Sequence, residues 1–217
     1  MQPDFWLAAW REGRTNFHKA EVHPDLLRFA ADFLPGQHRV IVPLCGMSLD
    51  LGWMVARGHA VVGAELAEDA VRRLHERDGL TAVVEDQGAF RAWRTPGLTV
   101  LQGDVFALDA ATEGTFDRVW DRAALIALNP EQRARYVATL RPVLRPGAVV
   151  LLVTMDYDQA KKPGPPHAVP EDEVRALWAG ASVTRLMEYD ILDEARARGW
   201  AMDRLVETVW RIALPPA

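Results

Sequence analysis

The chain has 217 residues, of which 49% are apolar and 25% charged, with a formal net charge of −5 and a pI near 5.7. That length holds one domain with a substantial core, and the composition excludes disordered, collagen-like and fibrous chains. The acidic balance gives no electrostatic reason to bind nucleic acid or an anionic membrane, and a single cysteine, Cys45, excludes a disulfide within the chain.

The N-terminus lacks a basic segment followed by an apolar run, and no stretch reaches the roughly 20 apolar residues of a membrane span. A reducing, cytoplasmic location is expected, with no membrane or nucleic-acid partner. Apolar residues recur at helical spacing over 3–10 and 24–34 (Leu26, Leu27, Phe29, Ala30, Phe33), with a polar run and Phe17-His18 between them. Residues 39–44 read as a buried strand, 48–58 as a helix, 60–65 as a second strand and 67–78 as a helix stopped by Gly79. Residues 80–97 carry short apolar runs and the turn Thr95-Pro96-Gly97 but no assignable element. Strands are predicted over 98–101 and 116–120, a helix over 130–144 and a fifth strand over 148–153. A proline-rich loop spans 159–170 and a short helix 171–178. Segments 182–192 and 204–213 are strand-like and too close in sequence for a crossover helix with two turns, so they should pair antiparallel.

This alternation predicts an α/β fold: a doubly wound, mostly parallel sheet ending in a C-terminal antiparallel hairpin. Ligands in such folds bind beyond the carboxyl ends of the strands. The informative residues therefore follow strands. The loop Val42-Pro43-Leu44-Cys45-Gly46-Met47-Ser48-Leu49-Asp50 holds one glycine and lacks both phosphate-binding glycine patterns. That argues against a dinucleotide-dependent dehydrogenase, while Gly46 still permits close approach of an adenosine or amino-acid moiety; a plain tight turn is the alternative. Glu65 ends the second strand, where a carboxylate can accept from a ribose diol or start the next helix as an exposed charge. Asp104, in Gly103-Asp104-Val105-Phe106, could bond an adenine amino group beside apolar Val105, or simply shape a turn. Arg122 offers a planar fork to a carboxylate, or an ion pair to Asp121 or Asp117. Trp6 and Trp10 share a helix face, which either packs on the core or closes over a ligand. Cys45 has no histidine partner and reads as a small buried apolar residue. The six histidines show no metal-ligand spacing, so no metal is expected.

The chain resembles the thiopurine S-methyltransferase family, and its bacterial members in particular. The matching residues are Phe5-Trp6 and Trp10, Glu12-Gly13-Arg14-Thr15, Phe17-His18, Val42-Pro43-Leu44-Cys45-Gly46, Ser48-Leu49-Asp50 and Val62-Gly63-Ala64-Glu65-Leu66. They continue through Gly103-Asp104, Phe106, Phe116-Asp117, Trp120-Asp121-Arg122-Ala123-Ala124-Leu125, Pro146-Gly147, Tyr157-Asp158-Gln159 and Gly164-Pro165-Pro166. The resemblance implies a Rossmann-like class I methyltransferase over 1–217, with a helical lid at about 1–35. It implies the cofactor S-adenosyl-L-methionine, bound by Trp10, Leu44, Gly46, Glu65, Asp104, Val105 and Arg122. Glu65 would take the ribose hydroxyls, Arg122 the methionine carboxylate, and Phe17 would face the acceptor. Met47 departs from the lysine usual at that place in the family. The acceptor implied is a small thiol such as a thiopurine or aryl thiol. Alternatives are a selenium or tellurium acceptor in detoxification, or a regulatory protein that binds S-adenosylmethionine without turnover. No catalytic base is assigned, because an acidic thiol needs no strong one. A monomer is expected, and Glu65→Ala is expected to weaken cofactor binding without unfolding the chain.

Overall fold

The computed structural model describes residues 3–217. Met1 and Gln2, which the expected domain and lid include, lie outside the described residues. The chain opens with α1 (Pro3–Arg11) and α2 (Pro24–Phe33), then β1 (Arg39–Pro43), α3 (Leu49–Val55), β2 (Ala60–Glu65) and α4 (Glu68–Arg77). There follow β3 (Val83–Gln87), β4 (Phe90–Thr95), β5 (Leu98–Gln102), α5 (Ala110–Glu113), β6 (Phe116–Arg122) and α6 (Pro130–Leu140). The chain ends with β7 (Leu144–Asp156), α7 (Glu171–Leu177), β8 (Ser182–Asp190), α8 (Leu192–Ala197) and β9 (Val206–Ala213).

All nine strands among the described residues join one sheet in the order β3-β4-β5-β2-β1-β6-β7-β9-β8. The central five, β5, β2, β1, β6 and β7, run parallel. Alternation decides which side chain enters which core. Val40 and Val42 pack with Leu26, Phe33, Leu51, Met54 and Leu74 of α2, α3 and α4. Ile41 points the other way and joins Tyr136, Val137, Leu140 and Val174 of α6 and α7. Helices thus cover both faces, as the pattern predicts.

The C-terminal hairpin forms as expected, with β8 and β9 antiparallel from Ser182↔Ala213 to Asp190↔Val206. The short α8 sits in their connection. A second antiparallel pair, β3 and β4, occupies the unassigned 80–97 segment and extends the other edge of the sheet. It escapes a periodicity reading because β3 is an exposed edge strand whose adjacent Val83 and Val84 break the alternation. Gln87 pairs with Phe90 across a two-residue Gly88-Ala89 turn, with Gly88 at φ +59°. The predicted helix over 130–144 is shorter than expected: α6 ends at Leu140, because Pro142 has no backbone N–H to continue the ladder.

From β1 the chain moves outward to β2 and then β5, whereas β6 and β7 build on the other side of β1. The order therefore reverses between β1 and β6, and the crevice beyond their carboxyl ends is where ligands bind in such sheets. Among the described residues no helix is long and apolar enough to cross a membrane.

Candidate functional site

Backbone strain concentrates at that crevice. Leu44, directly after β1, has φ +47°, and Ala123, directly after β6, has φ +61°; among the described residues they are the non-glycine positions with positive φ. Such conformations cost on the order of 1–3 kcal/mol each and persist where surrounding structure fixes them. Leu44 is half-buried; the Cys45 amide after it donates to Ala64 O on β2 at 3.0 Å, and the Ser48 amide closes the turn on Cys45 O at 3.1 Å. Cys45 itself packs on Gly63, where an added Cβ would lie 2.6 Å from Sγ. Burial, and then the nearby Glu65, push its thiol well up, so it stays neutral and acts as packing, as expected.

Glu65 is 6% exposed and reaches back to the first loop. Its Oε2 accepts from the Gly46 amide at 2.8 Å, and its Oε1 accepts from the Ala67 amide at 2.7 Å. Burial raises its carboxyl above the ordinary value, and these backbone donors oppose that shift. Glu65 is thus no exposed charge at a helix start. It ties the turn after β1 to the turn after β2, and each oxygen keeps a lone pair for a further donor.

Gly46 lies at φ +52° with the Trp10 indole directly over it. Trp10 is 2% exposed and packs with Ala67 and Ala70 at the start of α4, with Leu7, Phe17 and Met47 alongside. Phe17 stands edge-on to both Trp10 and Trp6, at 5.4 and 5.3 Å between centroids. The aromatic side chains at the N-terminus therefore form one cluster seated on the turn after β1. The Phe17 carbonyl in turn accepts from Arg122 Nη1 at 2.9 Å. A continuous path runs Glu65–Gly46–Trp10–Phe17–Arg122, joining five of the eight residues expected at the site.

Arg122 pairs with neither of its candidate carboxylates. Asp121 Oδ1 accepts from the Leu125 amide at 3.0 Å and Oδ2 from the Tyr136 hydroxyl at 2.7 Å. Asp117 turns to the far end of the sheet, toward His38 and Arg145. Among the described residues Arg122 makes no ion pair, and its hydrogen bond to Phe17 is the one it forms. The other N–H donors of its fork remain available at the crevice.

Asp104 and Val105 stand apart from this path. Asp104 is exposed, and its Oδ1 accepts from the Phe106 amide at 3.0 Å, which caps a single 3-10 turn. Val105 is 7% exposed and faces the core rather than the opening. The Gly103 amide donates to Glu65 O at 2.9 Å, so the segment borders the site through its backbone.

Several residues at the crevice have no role assigned from the sequence. Asp50 is 3% exposed and accepts from the His23 amide at 2.8 Å and from Trp120 Nε1 at 2.7 Å. Beside it the Tyr189 hydroxyl touches Asp25 and Glu207. The ligating atoms of His23, Asp25 and Glu207 lie within 4.8 Å of one another. Hydrogen bonds account for that crowding: His23 Nδ1 accepts from the Asp25 amide at 3.3 Å, and Tyr189 spans the two carboxyls. These residues come from the start of α2 and its N-cap, α3, β6, β8 and β9, so only the tertiary fold makes them neighbours.

The model of the family described as thiopurine S-methyltransferase matches residues 1–214. A thiopurine S-methyltransferase of Pseudomonas aeruginosa (strain UCBPP-PA14) is 45% identical over 194 residues, covering 88% of this chain and 89% of that protein. One from Azotobacter vinelandii is 44% identical over 220 residues, covering 98% and 99%. Among solved structures, a 1,6-didemethyltoxoflavin-N1-methyltransferase of Burkholderia thailandensis, with 1,6-didemethyltoxoflavin and S-adenosylhomocysteine bound, superposes with a TM-score of 0.67. It is 17% identical, covering 98% of this chain and 87% of that one. A methyltransferase described as S-adenosylmethionine-dependent, from Methanosarcina mazei, gives a TM-score of 0.65 at 15% identity, covering 91% and 100%. These structural likenesses show a shared fold.

Proposed function

The chain belongs to the thiopurine S-methyltransferase family, and on that premise we propose that it methylates the sulfur of a small acidic thiol of the thiopurine or aryl-thiol class. It is an S-adenosylmethionine-dependent S-methyltransferase, and the residues at the crevice fit that cofactor. The observation that carries the reading is Arg122, a guanidinium at the topological switch point with no carboxylate partner of its own. Its planar fork suits the methionine carboxylate. Glu65, whose oxygens each keep a lone pair, would accept the ribose hydroxyls. Gly46 lets the Trp10 indole sit against the turn after β1, and Leu44, Gly46 and Trp10 would line the cofactor from that side. Asp104 and Val105 would border the adenine end.

When bound, S-adenosylmethionine supplies an electrophilic methyl group on a sulfonium. The residues of the chain position and enclose the reactants. Arg122 and Glu65 would hold the two polar ends, and this fixed geometry can contribute up to about 7–11 kcal/mol in favourable cases. Trp10 with the rest of α1, together with Phe17 after it, would act as a lid that excludes water. An acceptor entering as a thiolate brings a negative charge that cancels the sulfonium charge as the new S–C bond forms and the old one breaks, and a dry cleft favours that cancellation. Its thiol proton leaves to solvent on entry, so no strong base is required.

Incubation with methyl-labelled S-adenosylmethionine and a panel of thiopurines, aryl thiols, selenite and tellurite tests the proposal. Label in the S-methyl product, with S-adenosylhomocysteine formed in equal amount, is the expected result. Turnover restricted to the selenium or tellurium acceptors would replace the thiol reading.

A further inference from the structure

Glu207 stands on the same sheet face as Arg122. Trp120, two residues before Arg122, and Val209, two residues after Glu207, pack together in the core beneath α2. Tyr189 is the direct cross-strand neighbour of Glu207 and joins that core in part. The Tyr189 hydroxyl lies 2.6 Å from Asp25 Oδ2 and makes a still shorter contact with Glu207 Oε1. One hydroxyl carries one proton and donates it once. Two carboxylates cannot both be satisfied by it, so the second short contact requires a proton on a carboxyl. Asp25 stands in the first turn of α2, where the helix N-terminus favours an anion, so it is the acceptor of the Tyr189 proton, which leaves the Glu207 carboxyl as the donor to the Tyr189 oxygen. A second fact agrees. Arg122 makes no ion pair within 4.0 Å among the described residues, although a carboxyl of opposite charge would stand on its own sheet face.

We propose that Glu207 is held as a neutral acid by Tyr189 and Asp25, and that this neutrality keeps the Arg122 guanidinium free for the carboxylate of the cofactor. Glu207 is then a positioning residue acting through Arg122, and the inference rests on the reading of Arg122 given above. Ionisation of Glu207 would put a competing carboxylate beside Arg122 and weaken cofactor binding. By linkage, cofactor binding would in turn favour the protonated acid. Burial raises the Glu207 carboxyl above its ordinary value, and neighbouring Asp25 adds to that; the Tyr189 hydrogen bond, Arg122 and Lys19 oppose it. The groups facing Glu207 or its partners Arg122 and His23 come from every adjoining element. Lys19 and His23 lie ahead of α2, Asp25 is on α2, Asp50 on α3, Arg122 on β6, Tyr189 on β8 and Arg198 after α8. His23 is pushed down to about 4, chiefly by burial, and so stays neutral across the range where Glu207 would titrate. The sign follows: cofactor affinity is full while Glu207 is protonated and falls as pH rises through its elevated pKa.

The test is the affinity for S-adenosylhomocysteine by calorimetry from pH 5 to pH 9, in wild type, Glu207→Gln and Arg122→Gln. The amide of Glu207→Gln reproduces the neutral acid and its donor to Tyr189 but cannot ionise. Wild type should weaken relative to Glu207→Gln by on the order of tenfold across the range, a typical coupling between neighbouring sites. A constant ratio between the two at all pH values would overturn the proposal, because it would place the proton on Asp25 or elsewhere. An independent readout is the infrared band of a protonated buried carboxyl at neutral pH, which the wild-type minus Glu207→Gln difference spectrum should contain; its absence from that difference would also overturn the proposal. If Arg122→Gln keeps full affinity, the assignment of Arg122 fails, whereas the infrared band still decides the state of Glu207.

Discussion

The indole of Trp10 occupies the space that a side chain on Gly46 would need: a Cβ built there would lie 2.8 Å from Trp10 Cζ2. Two requirements meet at this glycine, a left-handed backbone at φ +52° and an aromatic ring in van der Waals contact. Gly46→Ala therefore carries a conformational cost of about 1–2 kcal/mol and also pushes the indole away. Hydrogen exchange should accelerate across α1 in this variant, and affinity for S-adenosylhomocysteine should drop. Unchanged exchange in α1 would show that Trp10 is not seated by the glycine.

Glu65 has a structural duty that its sequence position does not reveal. Both of its oxygens satisfy backbone donors, those of Gly46 and Ala67. Glu65→Ala leaves two buried N–H groups without partners, each worth about 1–3 kcal/mol. The variant should lose about 2–4 kcal/mol of folding stability as well as cofactor affinity, which revises the expectation that binding alone would suffer. Glu65→Gln retains one acceptor and should fall between wild type and Ala. Urea denaturation of the three proteins gives the order, and an Ala variant as stable as wild type would remove the structural duty.

How much of this site the sequence carries depends on where each residue sits. Glu65 and Arg122 end strands, and strand ends are legible because β-branched runs mark them. Gly46 follows directly from the same rule. Asp104 satisfied the same positional rule, yet its side chain caps its own turn, a local competition that position does not decide. Tyr189 and Glu207 are not legible, and Asp50, though part of a matching segment, has no role there. Each lies in an ordinary amphipathic element, and they become neighbours only when α3, β8 and β9 close on β6. The hairpin of β3 and β4 was hidden for a different reason: an exposed edge strand buries nothing and shows no alternation.

The salt bridge between α6 and α7 is a further sensitive point. The Arg133 side chain is 1% exposed, with Nη1 2.7 Å from both Glu173 oxygens and Nε donating to Leu128 O at 3.1 Å. Removing the carboxylate strands a buried guanidinium, and losing one partner of a buried pair typically costs 3–5 kcal/mol. Glu173 is about a quarter exposed, so water moderates the loss. Glu173→Ala should destabilise the fold by about 3 kcal/mol, with Glu173→Gln less damaging. Thermal denaturation measures both, and a loss under about 1 kcal/mol for Ala would show that the guanidinium finds water or another acceptor.

Asp121 makes a prediction with a definite sign in pH. Burial raises its carboxyl to about 6, against the hydrogen bonds from Leu125 and Tyr136. An unfolded aspartate titrates near 3.9, so between about pH 4 and pH 6 the unfolded chain gives up this proton first. The Asp121 contribution to stability is therefore fully present at acidic pH. It declines as pH rises toward about 6 and is level above that, a change of up to about 3 kcal/mol. Asp121→Asn cannot ionise and should lack the decline. Its stability relative to wild type, from urea denaturation at pH 4.5 and pH 7.5, should improve toward the higher pH even if the amide satisfies Leu125 and Tyr136 less well. Other titrating groups are common to both proteins and cancel in the difference. A relative stability that stays constant with pH would mean that Asp121 ionises as readily in the fold as in the unfolded chain, and its two hydrogen bonds would then have to outweigh complete burial.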